Sequence, residues 1–180
     1  FTEVSDASGT GLLDVPARRW SEEMFAALDL DPSLFPEVVE SDIASAQTAD
    51  GVPVVGGGGD QAAAAVGTGA VEQGIVSVSL GTSGVVFTAL NEPSYDKGGA
   101  AHTFCHANRR WHAMGVMLSC GGAVRWARDT FFSSGGYDEM NQIAGTVPVG
   151  CDGLTFLPYL TGERSLHNDP LARGSFSGVS

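Results

Sequence analysis

Two neighbouring stretches of the chain carry the clearest β-strand pattern. Residues 75–80 alternate apolar and polar side chains, and residues 85–90 form a second run rich in β-branched and aromatic residues. Alternation over so short a run is typical of a strand with one buried face. Because a glycine-containing stretch of four residues separates the two runs, the pattern predicts a tight β-hairpin. Shorter runs of the same kind predict further strands over residues 52–55, 102–105, 111–116 and 154–157.

Helices are predicted where capping signals precede a helical apolar pattern. Ser21 is a suitable N-cap, and Trp20 and Phe25 on either side of it have the spacing of a hydrophobic staple. Glu22 and Glu23 fall in the first turn, where the helix dipole favours negative charge. We expect this helix to end by residues 31–32, and we predict further helices over residues 34–39, 61–66, 119–131 and 137–144. Residues 41–50 and 158–170 are predicted to be loops.

A strand, a glycine turn and a helix follow one another around Asp60. The apolar run 52–55 leads into four glycines, then Asp60, then an alanine-rich segment with high helix propensity. In α/β folds, ligands collect where the carboxyl end of a strand opens into a helix. Since glycines leave room for a ligand, Asp60 is a candidate general base for a substrate hydroxyl. The alternative is that Asp60 merely caps a helix beginning at Gln61.

The turn of the predicted hairpin is a second candidate site. Its sequence is Gly81-Thr82-Ser83-Gly84, whose amides and hydroxyls could converge on phosphate oxygens. The same residue types also build ordinary turns, so this alternative stays open. The chain contains no Walker A sequence, in which glycines precede Lys-Ser or Lys-Thr.

Other groupings of polar residues point less clearly to chemistry. His102, Cys105, His106 and His112 have no zinc-like spacing, so strand histidines and a buried cysteine are the better interpretation, and no metal ligand is predicted. No Gly-x-Ser-x-Gly sequence supports a serine hydrolase. Glu163-Arg164 reads as a local ion pair, or as lining of a cleft.

Composition narrows the class of protein. The chain has 180 residues, 43% of them hydrophobic and 17% charged, which is enough for a real core. A net charge of −12 argues against a nucleic-acid partner. No apolar run reaches the length of a membrane span. Three widely spaced cysteines make no disulfide framework, so we expect a cytoplasmic location. The chain begins at Phe1 and stops at Ser180 inside an expected strand or turn, so we expect a piece of a longer protein.

Several motifs, taken in order, resemble the FGGY family of carbohydrate kinases, in particular its members that act on D-xylulose. The similarity runs over nearly the whole chain. The motifs are residues 4–10 (VSDASGT), 19–21 (RWS), 53–63 (PVVGGGGDQAA), 79–85 (SLGTSGV), 156–164 (FLPYLTGER) and 174–180 (GSFSGVS).

This resemblance implies an α/β fold of the ribonuclease H-like, actin-like ATPase type, with the active site between two domains. Residues 1–70 would complete the sugar-binding domain and residues 71–180 would begin the nucleotide-binding domain. It implies ATP-dependent phosphorylation of D-xylulose to D-xylulose 5-phosphate with Mg²⁺, and homodimers are frequent in the family. The alternatives are another sugar or polyol kinase of the family, acting on glycerol, ribulose, fuculose or gluconate, or a non-catalytic actin-like nucleotide-binding module.

The resemblance also assigns roles to individual residues. Asp60 matches the base that acts on the sugar hydroxyl, and Gln61 beside it would touch the substrate. The residues matched to the nucleotide are Gly81, Thr82, Ser83, Gly121 and Arg125, although related kinases have glutamine where this chain has Arg125.

Two departures from the family pattern concern completeness. The stretch between residues 40 and 51 is shorter than in the family, which usually has an extra strand and helix there. The resemblance also implies that an amino-terminal part with a phosphate-binding hairpin and a metal-organising aspartate is missing, as is a carboxyl-terminal part that holds adenine. We therefore expect the 180 residues alone to lack kinase activity.

Overall fold

The structure is a computed structural model that describes residues 1–132, 136–165 and 167–179. Its helices are α1 (Val4–Ala7), α2 (Glu22–Ala27), α3 (Asp60–Thr68), α4 (Gly121–Phe131) and α5 (Tyr137–Ala144). Its strands are β1 (Thr2–Glu3), β2 (Leu13–Asp14), β3 (Arg19–Trp20), β4 (Val38–Val39), β5 (Ala44–Gln47), β6 (Pro53–Val55), β7 (Val76–Leu80), β8 (Gly84–Leu90), β9 (His102–Cys105), β10 (Trp111–Met117), β11 (Thr155–Leu157) and β12 (Ser175–Ser177).

The chain divides into two compact units. The first contains residues 1–77, 87–97 and 101–114, and the second contains residues 78–86, 98–100 and the chain from Gly115 onward. A four-stranded sheet has the order β7-β8-β10-β9. Strands β9 and β10 are antiparallel, with Trp111 opposite Cys105. The hairpin predicted over residues 75–90 is present as β7 and β8.

Two small apolar clusters form the core of the first unit. One joins α1 to β9 through buried Val4, Ala7, Leu13 and Cys105. The other joins the end of α3 to β8 and consists of Ala65, Ala70 and Phe87, with Met114 packed against it. The first cluster holds α1 against the sheet, and the second holds α3.

The capping signals at Ser21 are confirmed by α2. The Ser21 side chain accepts a hydrogen bond from the amide of Met24, and the rings of Trp20 and Phe25 lie with centroids 6.1 Å apart. Phe35 completes this aromatic group, with its ring 4.5 Å from that of Phe25. The staple therefore anchors a helix of only six residues.

Two sequence predictions in this region are wrong. The helix expected over residues 34–39 is instead a 3₁₀ turn, Pro32–Leu34, followed by β4, which pairs in parallel with β1. Pro36 cannot donate a helical hydrogen bond, and two β-branched valines favour the strand. The loop expected over residues 41–50 contains β5, which pairs with β6. Every residue of β5 is exposed, so its sequence lacks the apolar alternation that predicts a strand.

The second unit is built around α4 and a pair of strands. Strands β11 and β12 are antiparallel, with Phe156 opposite Phe176. These two rings stack at 4.6 Å, and Trp126 of α4 stacks on Phe156 at 5.5 Å. The predicted helices over residues 119–131 and 137–144 are present as α4 and α5, although α4 starts two residues late, at Gly121. The last residue of the final motif, Ser180, lies outside the described residues.

Within the ranges that the structure describes, no helix is both long and apolar enough to cross a lipid bilayer.

Candidate functional site

Asp60 lies at the start of α3, and four glycines separate it from the end of β6 at Val55. The helix begins at Asp60 itself, and the N-cap position is Gly59, which has no side chain to cap it. The expectation that Asp60 caps a helix beginning at Gln61 is therefore wrong by one position. The Asp60 side chain is exposed, and its Oδ1 accepts a hydrogen bond of 2.7 Å from the amide of Gln61. Among the described residues no hydrogen-bond donor reaches the other oxygen, Oδ2, so it can accept a proton from a ligand.

The glycines before Asp60 meet two distinct requirements. A Cβ on Gly56 would lie 2.6 Å from the Cβ of Glu3, so only glycine fits there without a shift. Gly57 has a φ of 81°, in the region that glycine tolerates best. Gly58 and Gly59 have room for a Cβ at ordinary contact distances. Two of the four glycines are therefore required by the backbone path, and the other two could carry a Cβ in ordinary contact with their neighbours.

Two adjoining recesses in the first unit share Asp6, Gly59 and Asp60. One is a cavity of about 140 Å³ that extends over Gln61 toward β9 and β10. The other is about 360 Å³ and extends along the glycine run toward the first residues of the chain. The wall of the first consists of Ser5, Asp6, Gly9, Gly59, Asp60, Gln61, Ala62, Phe104, His112 and Met114. Asp60 and Gln61 thus border a small open space, and Asp6 borders it from α1.

Sequence reasoning missed Asp6 and its neighbour Glu3. Asp6 lies inside the motif at residues 4–10, but nothing in its local pattern distinguishes it from a surface carboxylate. Glu3 is only 3% exposed. Burial raises the pKa of the Glu3 carboxyl, but hydrogen bonds from Ser41 and Ser5 outweigh burial and lower that pKa below its ordinary value. No signal in the sequence could have found this buried carboxylate, because two of its donors, Ser41 and Gly59, come from distant segments.

In the second unit, the hairpin turn packs against the start of α4. The amide of Gly121 donates to the carbonyl oxygen of Gly81 at 2.9 Å, and the amides of Cys120 and Gly122 donate to that of Thr82. A Cβ on Gly121 would lie 2.6 Å from the Gly81 oxygen. The start of α4 is thus held against the turn by three consecutive amides, those of Cys120, Gly121 and Gly122.

The exposed side of the turn has features of an anion site. Gly81, Thr82 and Ser83 are exposed, and the Ser83 hydroxyl donates to the Leu118 carbonyl at 3.3 Å. In the described part of the chain, the amides of Thr82 and Ser83 have no hydrogen-bond acceptor. Exposed Arg125 lies four residues after Gly121 on α4, so the two share one face of the helix. The structure thus brings Gly121 to the turn and puts Arg125 one helical turn away.

The Glu163-Arg164 pair expected from sequence is not an ion pair in the described residues. Glu163 is 5% exposed, and its Oε1 accepts hydrogen bonds from the amides of Leu118 and Arg164. The Ser165 hydroxyl accepts from the amide of Val116 at 2.5 Å. This segment therefore holds the end of β10 just before α4.

His106 and His112 belong to an aromatic cluster in the first unit. The His112 ring stacks on Phe87 at 4.3 Å, and His106 meets both rings edge-on. Burial, and to a lesser extent the charge of His106, lowers the pKa of His112 to about 3. Burial likewise lowers the pKa of His106, whose Nε2 lies 3.2 Å from the Ala70 carbonyl. Within the described ranges no three His, Cys, Asp or Glu side chains are grouped to hold a metal ion.

Comparison with protein families identifies the class. The model of the FGGY family of carbohydrate kinases, N-terminal domain, matches residues 1–67, and the model of the C-terminal domain of the same family matches residues 76–180. The chain therefore belongs to the FGGY family of carbohydrate kinases. Its solved neighbours are sugar kinases of this family, which confirms the predicted α/β, actin-like fold.

Individual relatives are mostly xylulose kinases. The xylulose kinase of Klebsiella pneumoniae is 43% identical over 191 residues, which cover 99% of this chain and 39% of that protein. A crystal structure from Brucella ovis, named "xyloylose kinase", has a TM-score of 0.91 and 40% identity, again over 99% of this chain and 39% of that one. The gluconate kinase of Lactobacillus acidophilus has a TM-score of 0.92 and 25% identity, with the same coverage. The chain thus spans about two fifths of the length of the relatives it matches.

Proposed function

We propose that this chain is the central part of an ATP-dependent kinase that converts D-xylulose to D-xylulose 5-phosphate. The observation that carries the proposal is the exposed Asp60 carboxylate, which borders a recess and whose Oδ2 has no hydrogen-bond donor among the described residues. The identity of the chain to xylulose kinases supports D-xylulose as the sugar. The alignment with the Klebsiella pneumoniae enzyme, at 43% identity, covers 99% of the chain.

Asp60 acts in this proposal as the general base. The Gln61 amide holds Oδ1 at 2.7 Å, which orients the carboxylate and leaves Oδ2 for the sugar hydroxyl. Phosphoryl transfer passes through a loose transition state, so little covalent chemistry is required of the protein. One carboxylate that accepts the hydroxyl proton as the bond to phosphorus forms is sufficient. Gln61, which is half-buried beside it, contacts the sugar.

In this proposal the nucleotide binds to the second unit. The turn residues Gly81, Thr82 and Ser83 approach the phosphates of ATP, with Thr82 and Ser83 amides available as donors. Gly121 supports the turn from behind, and Arg125 adds a positive charge on the same helical face. Mg²⁺ would bind together with ATP, with phosphate oxygens among its ligands.

The proposal also includes the domain boundaries, the cellular location and the oligomeric state. Residues 1–70 would complete the sugar-binding domain and residues 71–180 would begin the nucleotide-binding domain. The three cysteines are free thiols, which is compatible with the reducing cytoplasm that we propose as the location. A homodimer is proposed by analogy with the family alone.

The test is ADP release by the complete enzyme that contains this segment, with MgATP and one sugar at a time. D-xylulose is compared with gluconate, glycerol and L-ribulose. We expect D-xylulose to have the highest kcat/KM. Preference for gluconate, which the similarity to gluconate kinase makes the main rival, would keep the mechanism and replace the substrate. No turnover with any of the sugars would favour a non-catalytic nucleotide-binding module.

A further inference from the structure

We propose that Glu3 is a positioning residue for Asp60, an inference that rests on the kinase proposed above. Glu3 ends β1 and is the N-cap residue of α1, and its carboxylate lies buried beneath the glycine run. It does not line the cavity over Gln61, although it borders the larger recess beside the glycine run. It acts through Gly59, the residue directly before Asp60.

The Glu3 carboxylate joins three separate segments of the chain. Its Oε1 accepts hydrogen bonds from the Ser5 hydroxyl at 2.7 Å, the Asp6 amide at 2.5 Å and the Gly59 amide at 3.2 Å. Its Oε2 accepts from the Ser5 amide at 2.8 Å and from the Ser41 hydroxyl. The Gly59 amide is shared with the Ser5 hydroxyl oxygen at 2.9 Å. One side chain thus links α1, the segment after β4 and the start of α3.

Both ends of the glycine run depend on this network. Ser41, which donates to Glu3, also accepts a hydrogen bond of 3.1 Å from the Gly57 amide through its carbonyl oxygen. Gly56 packs directly on the Glu3 side chain and has no room for a Cβ. The path of the backbone into Asp60 is therefore held at Gly56, Gly57 and Gly59.

A capping role for α1 alone does not explain these contacts. A cap needs only the amides of Ser5 and Asp6, which Glu3 bonds. The bonds from Gly59 and Ser41 cross 56 and 38 residues of sequence, respectively. Burial of a carboxylate is costly unless it is well bonded. Three of the residues that donate to Glu3, namely Ser5, Asp6 and Gly59, also border the recesses beside Asp60. The arrangement therefore serves the recess that contains Asp60.

The chemistry of the donors makes the proposal testable with an isosteric variant. The groups that face Glu3 are amides and hydroxyls that donate, and a carboxylate is purely an acceptor when ionised. Glu3→Gln would turn one oxygen into an NH₂ group that donates toward other donors. Glu3→Asp would keep both acceptors on a shorter side chain.

The experiment combines steady-state kinetics with hydrogen–deuterium exchange in the complete enzyme. For Glu3→Gln we expect kcat to fall by about tenfold to hundredfold with the KM for the sugar nearly unchanged, since a small displacement of a base costs this much. We expect exchange of the Gly59 amide to become at least about tenfold faster. Glu3→Asp should recover part of both effects. Ser41→Ala, which removes a single donor, should shift both readouts in the same direction by a smaller factor.

Asp42→Asn is the matched control. Asp42 is an exposed carboxylate beside Ser41, and its partner is the exposed Arg109 at 3.0 Å. Its removal should change neither readout. The proposal is overturned if Glu3→Gln and Ser41→Ala leave Gly59 exchange unchanged, or if Gly59 exchange rises while kcat stays at the wild-type value. Absence of turnover in the wild-type enzyme would instead overturn the kinase proposal, and Gly59 exchange would still decide whether Glu3 holds the start of α3.

Discussion

Glu3 and Asp60 are two carboxylates in the same unit with opposite surroundings. Glu3 is buried, and hydrogen-bond donors occupy both of its oxygens. Asp60 is exposed, and in the part of the chain that the structure describes only its Oδ1 accepts a hydrogen bond, from the Gln61 amide. A carboxylate with satisfied oxygens holds structure, whereas one with an open oxygen can accept a proton from a substrate. These surroundings therefore suit Glu3 to a structural role and Asp60 to a chemical one.

Asp60→Asn tests the proposed role of Asp60 as the general base. An amide cannot accept the proton of the sugar hydroxyl, so we expect kcat to fall by about 10²-fold to 10⁴-fold with little change in the KM for the sugar. Asp50→Asn is a suitable control, because Asp50 is exposed and bonds only with Thr48 among the described residues. Sugar-dependent turnover close to wild type in Asp60→Asn would remove Asp60 from the role of base.

Gly56→Ala tests the close approach of the glycine run to Glu3. The added Cβ would meet the Glu3 Cβ at 2.6 Å, so we expect a loss of about 1–3 kcal/mol in the free energy of unfolding. Gly58→Ala is the control, because its Cβ would lie 3.5 Å from the nearest atom, on Ala107. Urea unfolding measures both. Equal stability of the two variants would show that the backbone near Gly56 adjusts freely.

His112 predicts a pH dependence of stability. The unfolded chain protonates this histidine below its ordinary pKa of 6.5, whereas the folded protein keeps it neutral down to a pKa of about 3. Its contribution to stability is therefore complete above pH 6.5 and is lost as pH falls toward 3, by up to about 1.4 kcal/mol per pH unit.

His112→Phe should weaken this loss, since phenylalanine keeps the stacking on Phe87 and cannot take up a proton. Thermal unfolding near neutral pH and at about pH 5 would measure the difference in slope. Parallel slopes in wild type and variant would mean that His112 does not contribute to acid sensitivity.

At the scale of elements, the hairpin turn and α4 form one bonded unit. Carbonyl oxygens of Gly81 and Thr82 accept hydrogen bonds from the first amides of α4. Glu163 and Ser165 hold the end of β10 through the amides of Leu118 and Val116. A nucleotide that binds to the turn would therefore meet a surface supported on two sides by backbone hydrogen bonds.

Gly121→Ala tests whether this contact matters for ATP. Its Cβ would lie 2.6 Å from the Gly81 oxygen, so the turn must move and we expect the KM for MgATP to rise about tenfold. Gly67→Ala is the matched control inside α3, because nothing lies within 4 Å of the added Cβ. It should leave the KM for MgATP unchanged and add about 0.5–1 kcal/mol of stability. An unchanged KM for MgATP in Gly121→Ala would argue against a nucleotide at this turn.

At the scale of the whole molecule, the chain carries matches to both domains of an FGGY kinase but only about two fifths of the relatives' length. We therefore expect the 180-residue chain alone to show no sugar-dependent ADP release, while the complete enzyme turns over D-xylulose. Parallel assays of the two proteins make the comparison. Turnover by the chain alone would mean that it holds every group that the reaction requires.

Much of the fold could be predicted from local signals. The Ser21 cap, the alternation around residues 75–90 and the alanine-rich helix after Asp60 all appear as expected. Errors fell where local signals are weak. Strand β4 has only two residues and depends on its parallel partner β1, and β5 is exposed and depends on β6.

The sequence by itself determined the family, the main hairpin and the position of Asp60 after the glycine run, because these follow from short-range order along the chain. Only the tertiary structure showed that Glu3 is buried against Ser41 and Gly59, that Gly121 must be glycine to approach Gly81, and that Glu163 accepts a hydrogen bond from the distant Leu118 amide. Those facts depend on contacts between segments far apart in sequence. No local pattern of residue types specifies which distant donor will face a given carboxylate or which backbone will approach a given glycine.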